Sequence, residues 1–332
     1  RSRSVPYVLS PDPAAAGSPR PVPSCRATNN PTMQKRHSLL QVVLSLNAGG
    51  TERLVIDMSR HLLPIADIRV VCLDDEGEWA EQLRDAGVQI TALRRQPGFQ
   101  LGLARSIRAI AQEMAHPVVH CHHYTPFIYG YLGTALLANC KVVYTEHGRL
   151  SDAAPSTKRR VANTLFGRTR SSIFAVSADL REHMVAEGFP AGRVAVNHNG
   201  ISAGSLPDAS EKSAARAALG LNKDDWVVGT VARLDPVKDL TTLIDATARS
   251  HGVIPRLKTL LIGDGPERDS LERQAQSLGL QDKVIFAGHR NDARRLLAAM
   301  DVYVNCSVME GISVTILEAM AAGLAITATA VG

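Results

Sequence analysis

Residues 226–262 decide the fold class of this chain, and they read WVVGTVARLDPVKDLTTLIDATARSHGVIPRLKTLLI. The segment opens with an apolar run at Trp226–Val231 and closes with a second run at residues 258–262. Between the two runs the sequence predicts a loop followed by a helix over Leu240–Ser250. A strand, a helix and a strand at this spacing are typical of two parallel strands joined by a crossover helix.

The same alternation runs along the chain from residue 38 and predicts the α/β class. Further strands are predicted at residues 38–46, 68–73, 88–93, 117–121, 141–145, 172–176, 194–197, 284–287, 301–305 and 324–327, with further helices at residues 51–63, 102–114, 178–187, 267–278, 292–300 and 314–322. Residues 201–213 interrupt the pattern. We therefore expect two facing Rossmann-like domains with parallel, doubly wound sheets, over residues 37–200 and 214–332, joined by a linker over residues 201–213. Such domains bind ligands at the carboxyl ends of their strands, across a cleft.

The ends of the chain carry separate expectations. Residues 1–36 contain six basic residues and one acidic residue, so their net charge of +5 equals the net charge of the whole chain. Because the basic residues are confined to this tail, the charge gives no case for a nucleic-acid groove. The same residues hold seven of the seventeen prolines and are predicted to be disordered. We expect Met33 to be the natural start and residues 1–32 to be upstream sequence, with a transit peptide as the alternative. At the other end, the second domain is expected to be incomplete, because Gly332 follows a strand with no closing helix.

Cysteine usage and hydropathy predict a cytoplasmic protein. The five cysteines are odd in number and lack metal-type spacing, and the last four lie in or beside apolar runs, as reduced buried thiols do. The chain also lacks a stretch of about 18 apolar residues, the length that a membrane-spanning helix needs. Peripheral contact at the inner face of the membrane is a further expectation.

One constellation of chemical groups lies in residues 308–323, VMEGISVTILEAMAAG. Glu310 is predicted on a loop, and Glu318 about one turn into the following helix. Gly311 lets the backbone approach a ligand closely, and the helix presents free N–H groups to a phosphate. Carboxylates can accept hydrogen bonds from neighbouring sugar hydroxyls. An ordinary surface position for Glu318 is the alternative.

A second constellation lies in residues 229–239, GTVARLDPVKD. Arg233 and Lys238 follow a buried strand and lie on the loop at its carboxyl end. Arginine in bidentate fashion and lysine as a point charge can clamp a diphosphate. Two solvated surface cations are the alternative for this pair.

These two constellations together resemble the family-four retaining glycosyltransferases of the GT-B fold. The resemblance rests on ARLDPVKD followed some seventy residues later by EGISVTILEAMAAG, with further matches at GGTER, TEHG and IGDGP. It covers nearly all of residues 38–332. The spellings CLDDEG, TEHGR and EGISVTILEAMA are most similar to bacterial sugar transferases associated with exopolysaccharide assembly. The resemblance implies transfer of a sugar from a nucleotide-sugar donor to a glycan or lipid-linked acceptor, with retention of configuration.

The resemblance also implies roles for residues of the second domain. Arg233 and Lys238 would hold the donor diphosphate and offset the charge that develops on it as it leaves. Glu310 would contact the hydroxyls of the donor sugar, helped by the backbone at Gly311 and at Ile312. Glu318 would bind the ribose of the nucleotide.

In the first domain the resemblance implies roles for three residues. Gly49 and Gly50 would form the tight loop that faces the phosphates and the acceptor. His147 would lie on the cleft side close to the donor sugar, whereas the residue pattern alone favours a satisfied core histidine.

A metal site is not expected. His120, His122 and His123 resemble a metal cluster, but side chains alternate across a strand and two of the three would face opposite sides. The chain has no D-x-D element of the kind that metal-dependent sugar transferases use. We therefore expect catalysis without a divalent metal or another cofactor. Two alternatives to sugar transfer are a nucleotide-sugar epimerase of the same fold and an inactive nucleotide-binding fragment.

Overall fold

A computed structural model describes residues 7–9, 37–148, 156–169 and 171–331 of the chain. In chain order the first elements are β1 (Tyr7–Leu9), β2 (His37–Val43), α1 (Gly50–Leu62), β3 (Ala66–Cys72), α2 (Ala80–Arg84), β4 (Gln89–Ala92), α3 (Leu101–Gln112), β5 (Val118–His122), α4 (Tyr124–Thr134), β6 (Lys141–Glu146), α5 (Thr157–Gly167), β7 (Ser172–Ala175), α6 (Ala178–Ala186) and β8 (Val194–Val196). The remaining elements are α7 (Ala209–Ala218), β9 (Trp226–Val231), α8 (Leu240–Ser250), β10 (Leu257–Ile262), α9 (Arg268–Ser277), β11 (Val284–Gly288), α10 (Ala293–Leu296), β12 (Val302–Asn305), α11 (Val314–Ala321) and β13 (Ala325–Ala328).

The first domain is built on a parallel sheet, in which the described strands follow the order β4-β3-β2-β5-β6-β7-β8. Both faces of this sheet are covered, which explains why its central strands are apolar almost throughout. One face packs against α3, α4 and α6, around the fully buried ring of Phe127, which stacks on Tyr144 with 4.3 Å between ring centroids. The other face packs against α1 and α2.

The second domain repeats this plan with the described strands in the order β1-β13-β12-β9-β10-β11. Strands β9 to β13 are parallel, and α7, α10 and α11 cover one face while α8 and α9 cover the other. The predicted α/β class with two doubly wound domains is therefore confirmed. Because the strands run parallel in each sheet, the loops after β9 and β12 emerge at the same edge, as do those after β5 and β6.

Two segments differ from the sequence expectation. Residues 7–9, predicted as part of a disordered tail, form a strand that pairs antiparallel with β13, whose outer edge offers unpaired backbone groups. The rest of the tail, up to residue 36, lies outside the described residues. The helix α7 begins at Ala209 and packs on the second core, so the predicted linker over residues 201–213 is too long. An Asp208–Glu211 capping box starts this helix, and the D-x-x-E spacing was the signal that the sequence interpretation missed.

Main-chain groups bring the two domains together. A Cβ atom built on Gly311 would lie 2.1 Å from the carbonyl oxygen of His147, so only glycine allows this approach of two backbones. The side-chain amide of Asn199 donates to the carbonyl of Ile312 at 3.5 Å, and the Ile312 side chain packs against the first core. At the rim His289 lies 3.6 Å from Glu78. Among the described residues, no helix is both long and apolar enough to span a membrane.

Candidate functional site

The loop after β9 carries the two predicted cations, and they are held differently. The ammonium group of Lys238 donates to Glu310 Oε1 at 2.7 Å, and both side chains are largely buried. The side chain of Arg233 is 70% exposed, and its Nε lies 3.7 Å from Asp235. Lys238 is thus paired in advance, whereas Arg233 is free to turn toward a ligand.

The G-x-G of the IGDGP motif supports this loop. Cβ atoms built on Gly263 and Gly265 would lie 2.0 Å and 2.4 Å from the carbonyl oxygens of Ala232 and Leu234 respectively. The backbone N–H of Leu234 also donates to the carbonyl of Asp264 at 3.0 Å. Gly263 has a φ of +136°, which a side chain would strain. The motif therefore braces the backbone on both sides of Arg233.

Glu310 is the centre of the second loop, which follows β12. Its Oε1 accepts from the Ser307 hydroxyl at 2.7 Å and from the Asn305 amide at 3.4 Å, in addition to the Lys238 ammonium. The two loops are also tied by a backbone bond of 2.9 Å from Val308 to Val237. The structure thus brings together Lys238 and Glu310, which the sequence placed on separate constellations seventy residues apart.

Two helix amino termini face each other across the domain boundary. Helix α11 begins after Ser313, whose hydroxyl accepts from the backbone N–H of Ile316 at 3.4 Å. Helix α1 begins at Gly50, and a Cβ atom built there would lie 3.4 Å from the Val314 side chain. Because unpaired N–H groups at a helix start favour anions, the space beside these ends suits phosphate oxygens.

Glu318 lies one turn further into α11, as expected from the sequence. It is half-buried, and burial raises the pKa of its carboxyl, while the nearby charges of Arg53 and Arg294 act to lower it and Asp57 to raise it. Arg53 and Asp57 belong to α1 of the first domain and form an ion pair at 3.2 Å. Glu318 is therefore less exposed than an ordinary surface glutamate, and its role at the ribose stays a prediction.

The loop at Gly49 and Gly50 contains a carboxylate that the sequence interpretation missed. A Cβ atom built on Gly49 would lie 2.3 Å from Glu52 Oε2, so the glutamate reaches back over the start of α1. Burial raises the pKa of Glu52, opposed by its own backbone hydrogen bond and by His123. The acidic residue in GGTER, two residues after the glycine pair, was the available signal.

A second missed group joins α1 to the ends of β5 and β6. His123 Nε2 lies 3.0 Å from the Thr51 hydroxyl, and its Nδ1 lies 2.8 Å from Glu146 Oε1. Burial acts to lower the pKa of His123, but the hydrogen bond to Glu146 and the charges of Glu146 and Glu52 raise it overall. Glu146 also accepts from Tyr144 at 2.6 Å. The positive φ of 73° at His123 makes this geometry invisible to strand periodicity.

The backbone of His147 lies beside Gly311 of the second domain, and its ring belongs to a cluster of histidines. Its Nε2 is 3.0 Å from His122 Nδ1, and its backbone N–H donates to Glu146 Oε1 at 3.1 Å. Its Nδ1 is buried without a hydrogen-bond partner among the described residues. Burial holds the pKa of His147 well below its usual range, and His123 and His120 lower it further.

The neighbouring histidines do not form a metal centre in the part of the chain that the structure describes. His120 bonds to the Thr145 hydroxyl at 2.9 Å, and His122 lies 2.7 Å from the side-chain oxygen of Gln41. These rings line a cavity of about 330 Å³ together with residues from α1 and from residues 197–202. These ring nitrogens of His120 and His122 therefore take part in hydrogen bonds with protein groups.

Comparison with known proteins assigns each half of the chain to a glycosyltransferase domain. Residues 48–204 match the model of Glycosyltransferase Family 4, and residues 211–332 match that of Glycosyl transferases group 1. The lipopolysaccharide core biosynthesis glycosyltransferase LpsE of Rhizobium meliloti is 41% identical over 114 residues, which is 34% of this chain and 32% of LpsE. The putative glycosyltransferase EpsF of Bacillus subtilis is 27% identical over 88% of this chain and 78% of its own length.

A solved structure agrees with both assignments. The Anabaena Alr3699/HepE complex with UDP-glucose has a TM-score of 0.74 and 26% identity, and the alignment covers 86% of this chain and 79% of HepE. The epimerase alternative is not favoured, because the relatives named above are glycosyltransferases. The chain therefore carries a family 4 glycosyltransferase domain followed by a group 1 glycosyltransferase domain, joined in the two-domain GT-B fold.

Proposed function

We propose that this protein transfers a sugar from a nucleotide-sugar donor to a glycan or lipid-linked acceptor, with retention of the anomeric configuration. The observation that carries the proposal is the meeting of Lys238, Glu310 and the start of α11 opposite Gly50 and His147. On the second-domain side of the boundary, a cation and helix N–H groups could hold a diphosphate, and Glu310 could accept from sugar hydroxyls. Gly50 and His147 face these groups from the first domain. UDP-glucose bound to the similar HepE supports a nucleotide-sugar donor.

The Lys238–Glu310 pair gives each residue a defined role on donor binding. The donor diphosphate would draw the Lys238 ammonium away from Glu310, and Arg233 would turn onto the same phosphates. Glu310 would then accept hydrogen bonds from hydroxyls of the donor sugar beside the backbone of Gly311 and Ile312. Glu318, half-buried in α11, would accept from the ribose hydroxyls.

Electrostatic stabilisation of the departing nucleoside diphosphate would be the main catalytic effect. Once the donor is bound, the side chains of Arg233 and Lys238 and the N–H groups at the start of α11 would be in place before the charge develops, so they would need little further reorganisation. The acceptor hydroxyl would attack the sugar from the face that the diphosphate leaves, and a departing phosphate oxygen would take its proton. These two cations supply positive charge at the phosphates, so we propose that no divalent metal is required.

The biological setting is proposed from the relatives. EpsF is a putative glycosyltransferase of Bacillus subtilis, and an Escherichia coli relative with 26% identity is named as acting on a sugar-diphosphoundecaprenol. We propose a role in exopolysaccharide or cell-envelope glycan synthesis, in the cytoplasm and with peripheral contact at the inner face of the membrane.

A panel of nucleotide sugars with undecaprenyl-diphosphate-linked sugar acceptors tests the proposal. We expect one donor to yield a glycosylated lipid whose anomeric proton coupling matches that of the donor. An inverted coupling would contradict retention, and an epimerised donor without acceptor would support the epimerase. Binding without either product would identify a nucleotide-binding fragment.

A further inference from the structure

A continuous chain of hydrogen bonds runs beneath the candidate site from α1 to the cleft. The side-chain nitrogen of Gln41 donates to the Ser59 hydroxyl at 3.2 Å, and Gln41 Oε1 lies 2.7 Å from His122 Nε2. His122 Nδ1 in turn lies 3.0 Å from His147 Nε2. Gln41 and Ser59 are fully buried, and His122 is 1% exposed.

With Gln41 in the amide orientation of the structure, the order of atoms in this chain gives the position of each proton. A carboxamide oxygen only accepts, so His122 Nε2 carries the proton that it donates to Gln41. A neutral His122 then has a lone pair at Nδ1 and accepts from His147 Nε2. His147 is left protonated at Nε2, with a bare lone pair at Nδ1. This nitrogen is the ring atom that is buried and has no hydrogen-bond partner in the part of the chain that the structure describes.

The opposite amide orientation of Gln41 fits less well. It would reverse every bond and leave His147 with an N–H donor at the unpartnered Nδ1. Buried donors without a partner are rarer in proteins than underused acceptors. The 2.7 Å distance to His122 is also short for a bond between two nitrogens and ordinary for one between nitrogen and oxygen.

We propose that Gln41 and His122 are positioning residues that hold His147 as a neutral imidazole protonated at Nε2, so that Nδ1 accepts a hydrogen bond from a hydroxyl of the donor sugar. The sugar contact rests on the proposed function, whereas the tautomer does not. Burial keeps the pKa of His122 well below its usual range, and the neighbouring His120, His147 and His123 lower it further. The surroundings thus favour neutral rings at His122 and His147. We call the chain Gln41–His122–His147 the histidine relay.

The relay would make His147 selective for what approaches it. The acceptor atom Nδ1 can accept a hydrogen bond from a hydroxyl, but it cannot bond to a group that offers only lone pairs, such as a carboxylate. An unpaired buried acceptor also costs free energy, which a bound hydroxyl recovers. The first domain would thereby discriminate among donors at the sugar rather than at the phosphates.

Long-range ¹H–¹⁵N correlation spectra of the full chain, labelled in the histidine rings, test the tautomer. The His147 signals are assigned by their loss in His147→Gln. We expect a neutral ring with the proton on Nε2. A proton on Nδ1, or an imidazolium, at pH 7.5 would overturn the proposal whether or not the chain has transferase activity.

Gln41→Met removes the oxygen that orients the relay while nearly preserving volume. We expect its His147 signals to shift toward the Nδ1-protonated form or an average of the two. Gln274→Met, in α9 of the second domain, is the matched control and should leave His147 unchanged. Gln41→Asn, which shortens the amide by one methylene, replaces Gln41→Met if that variant does not fold. A His147 tautomer unaffected in the folded variant would overturn the role of Gln41.

Calorimetric titration with UDP and with UDP-glucose tests the sugar contact. In Gln41→Met we expect unchanged affinity for UDP and about tenfold weaker affinity for UDP-glucose, the effect of one lost hydrogen bond. An equal loss for both ligands would show a merely structural effect and overturn the contact. If the wild-type chain binds no nucleoside diphosphate and no nucleotide sugar of the panel, the proposed function and the sugar contact fail together, while the spectra still decide the tautomer. If the panel identifies another donor, that donor and its nucleoside diphosphate replace UDP-glucose and UDP in the titration.

Discussion

The two halves of the candidate site hold their polar groups in opposite ways. In the second domain the groups are charged and within reach of solvent, with Arg233 70% exposed and Lys238 paired to Glu310 at 2.7 Å. In the first domain Gln41, His122 and His147 form a buried chain beside the His123–Glu146 pair, and burial lowers the pKa of His122 and of His147 well below the usual range. The difference indicates that the second domain provides charges that a ligand can recruit, whereas the Gln41–His122–His147 chain of the first domain provides fixed, neutral hydrogen-bonding atoms.

The cause of this difference is how each set of groups is surrounded. The loops after β9 and β12 end at the domain boundary, where an ion pair retains part of its hydration. The histidines lie over the sheet of the first domain between α1 and residues 197–202, where desolvation penalises a charge. Charged groups can therefore exchange partners on ligand binding, but the neutral network cannot do so without leaving a buried group unpaired.

Lys238→Ala removes a cation from the second-domain half of the site and should have the largest effect. The donor diphosphate loses a preorganised cation, so we expect turnover to fall by roughly 100- to 1,000-fold. The measurement is the rate of nucleoside diphosphate release in the transfer assay.

Lys223→Ala is the control for this loss, because Lys223 is an exposed lysine of the same domain. Its turnover should match that of the unchanged chain. A Lys238→Ala variant that melts cooperatively and turns over within threefold of normal would remove Lys238 from the catalytic groups.

Acidification tests whether the fold keeps the buried histidines of the first domain neutral. Burial lowers the pKa of His120 from 6.5 to about 4, so the unfolded chain binds more protons than the folded chain between these values. Stability therefore falls as pH drops from 6.5 toward 4, by at most about 1.4 kcal/mol per pH unit for this group. Because the ring is only half-buried, solvent reduces this figure. The measurement is the free energy of unfolding in urea across this range.

His120→Gln separates this histidine from the other titrating groups. A glutamine can retain the contact to Thr145, which lies 2.9 Å from the ring, but does not titrate. We expect the variant to lose less stability on acidification than the unchanged chain. Parallel pH profiles of the two proteins would show that His120 is not kept neutral by the fold.

The sequence predicted the charged half of the site better than the neutral half. Arg233, Lys238, Glu310 and Glu318 follow strand ends or begin a helix, and parallel strands bring such positions to one edge. The 2.7 Å ion pair between Lys238 and Glu310 was not predictable, because it requires β9 and β12 to be neighbours in the sheet.

The histidine relay shows what periodicity does not carry. Gln41 lies in the middle of a buried strand, where an apolar residue is the usual choice, and this break in pattern was the available signal. Its partner His122 is 81 residues away, and His123 turns into place through a positive φ. Strand alternation assigned opposite faces to these histidines but could not give their partners. The fold class, by contrast, followed from alternation alone.

Gly311→Ala tests whether the two halves must touch. The added Cβ would lie 2.1 Å from the carbonyl oxygen of His147, and backbone atoms cannot yield as a flexible side chain can. We expect the domains to separate slightly, and kcat/KM for the donor to fall about tenfold, since small misplacements of positioned groups are costly. Gly102→Ala is the control because a Cβ there meets no atom within 4 Å. Equal kcat/KM in both variants would mean that the contact is not needed.

Glu78→Gln should have the smallest effect, because it alters only the rim of the boundary. The contact with His289 joins the domains at 3.6 Å and is an ion pair only when the imidazole is protonated. The Glu78 and His289 side chains are 49% and 39% exposed, so solvent screens any attraction between them. The glutamine can keep the 3.2 Å bond that Glu78 Oε1 accepts from the Ala48 backbone. We expect less than about 0.5 kcal/mol of lost stability, and less still in high salt.

Glu81→Gln removes an exposed pair with Arg84 inside the first domain and is the matched control. A loss of donor affinity in Glu78→Gln alone would show that charge at the rim, and not only the Gly311 contact, holds the two halves in register.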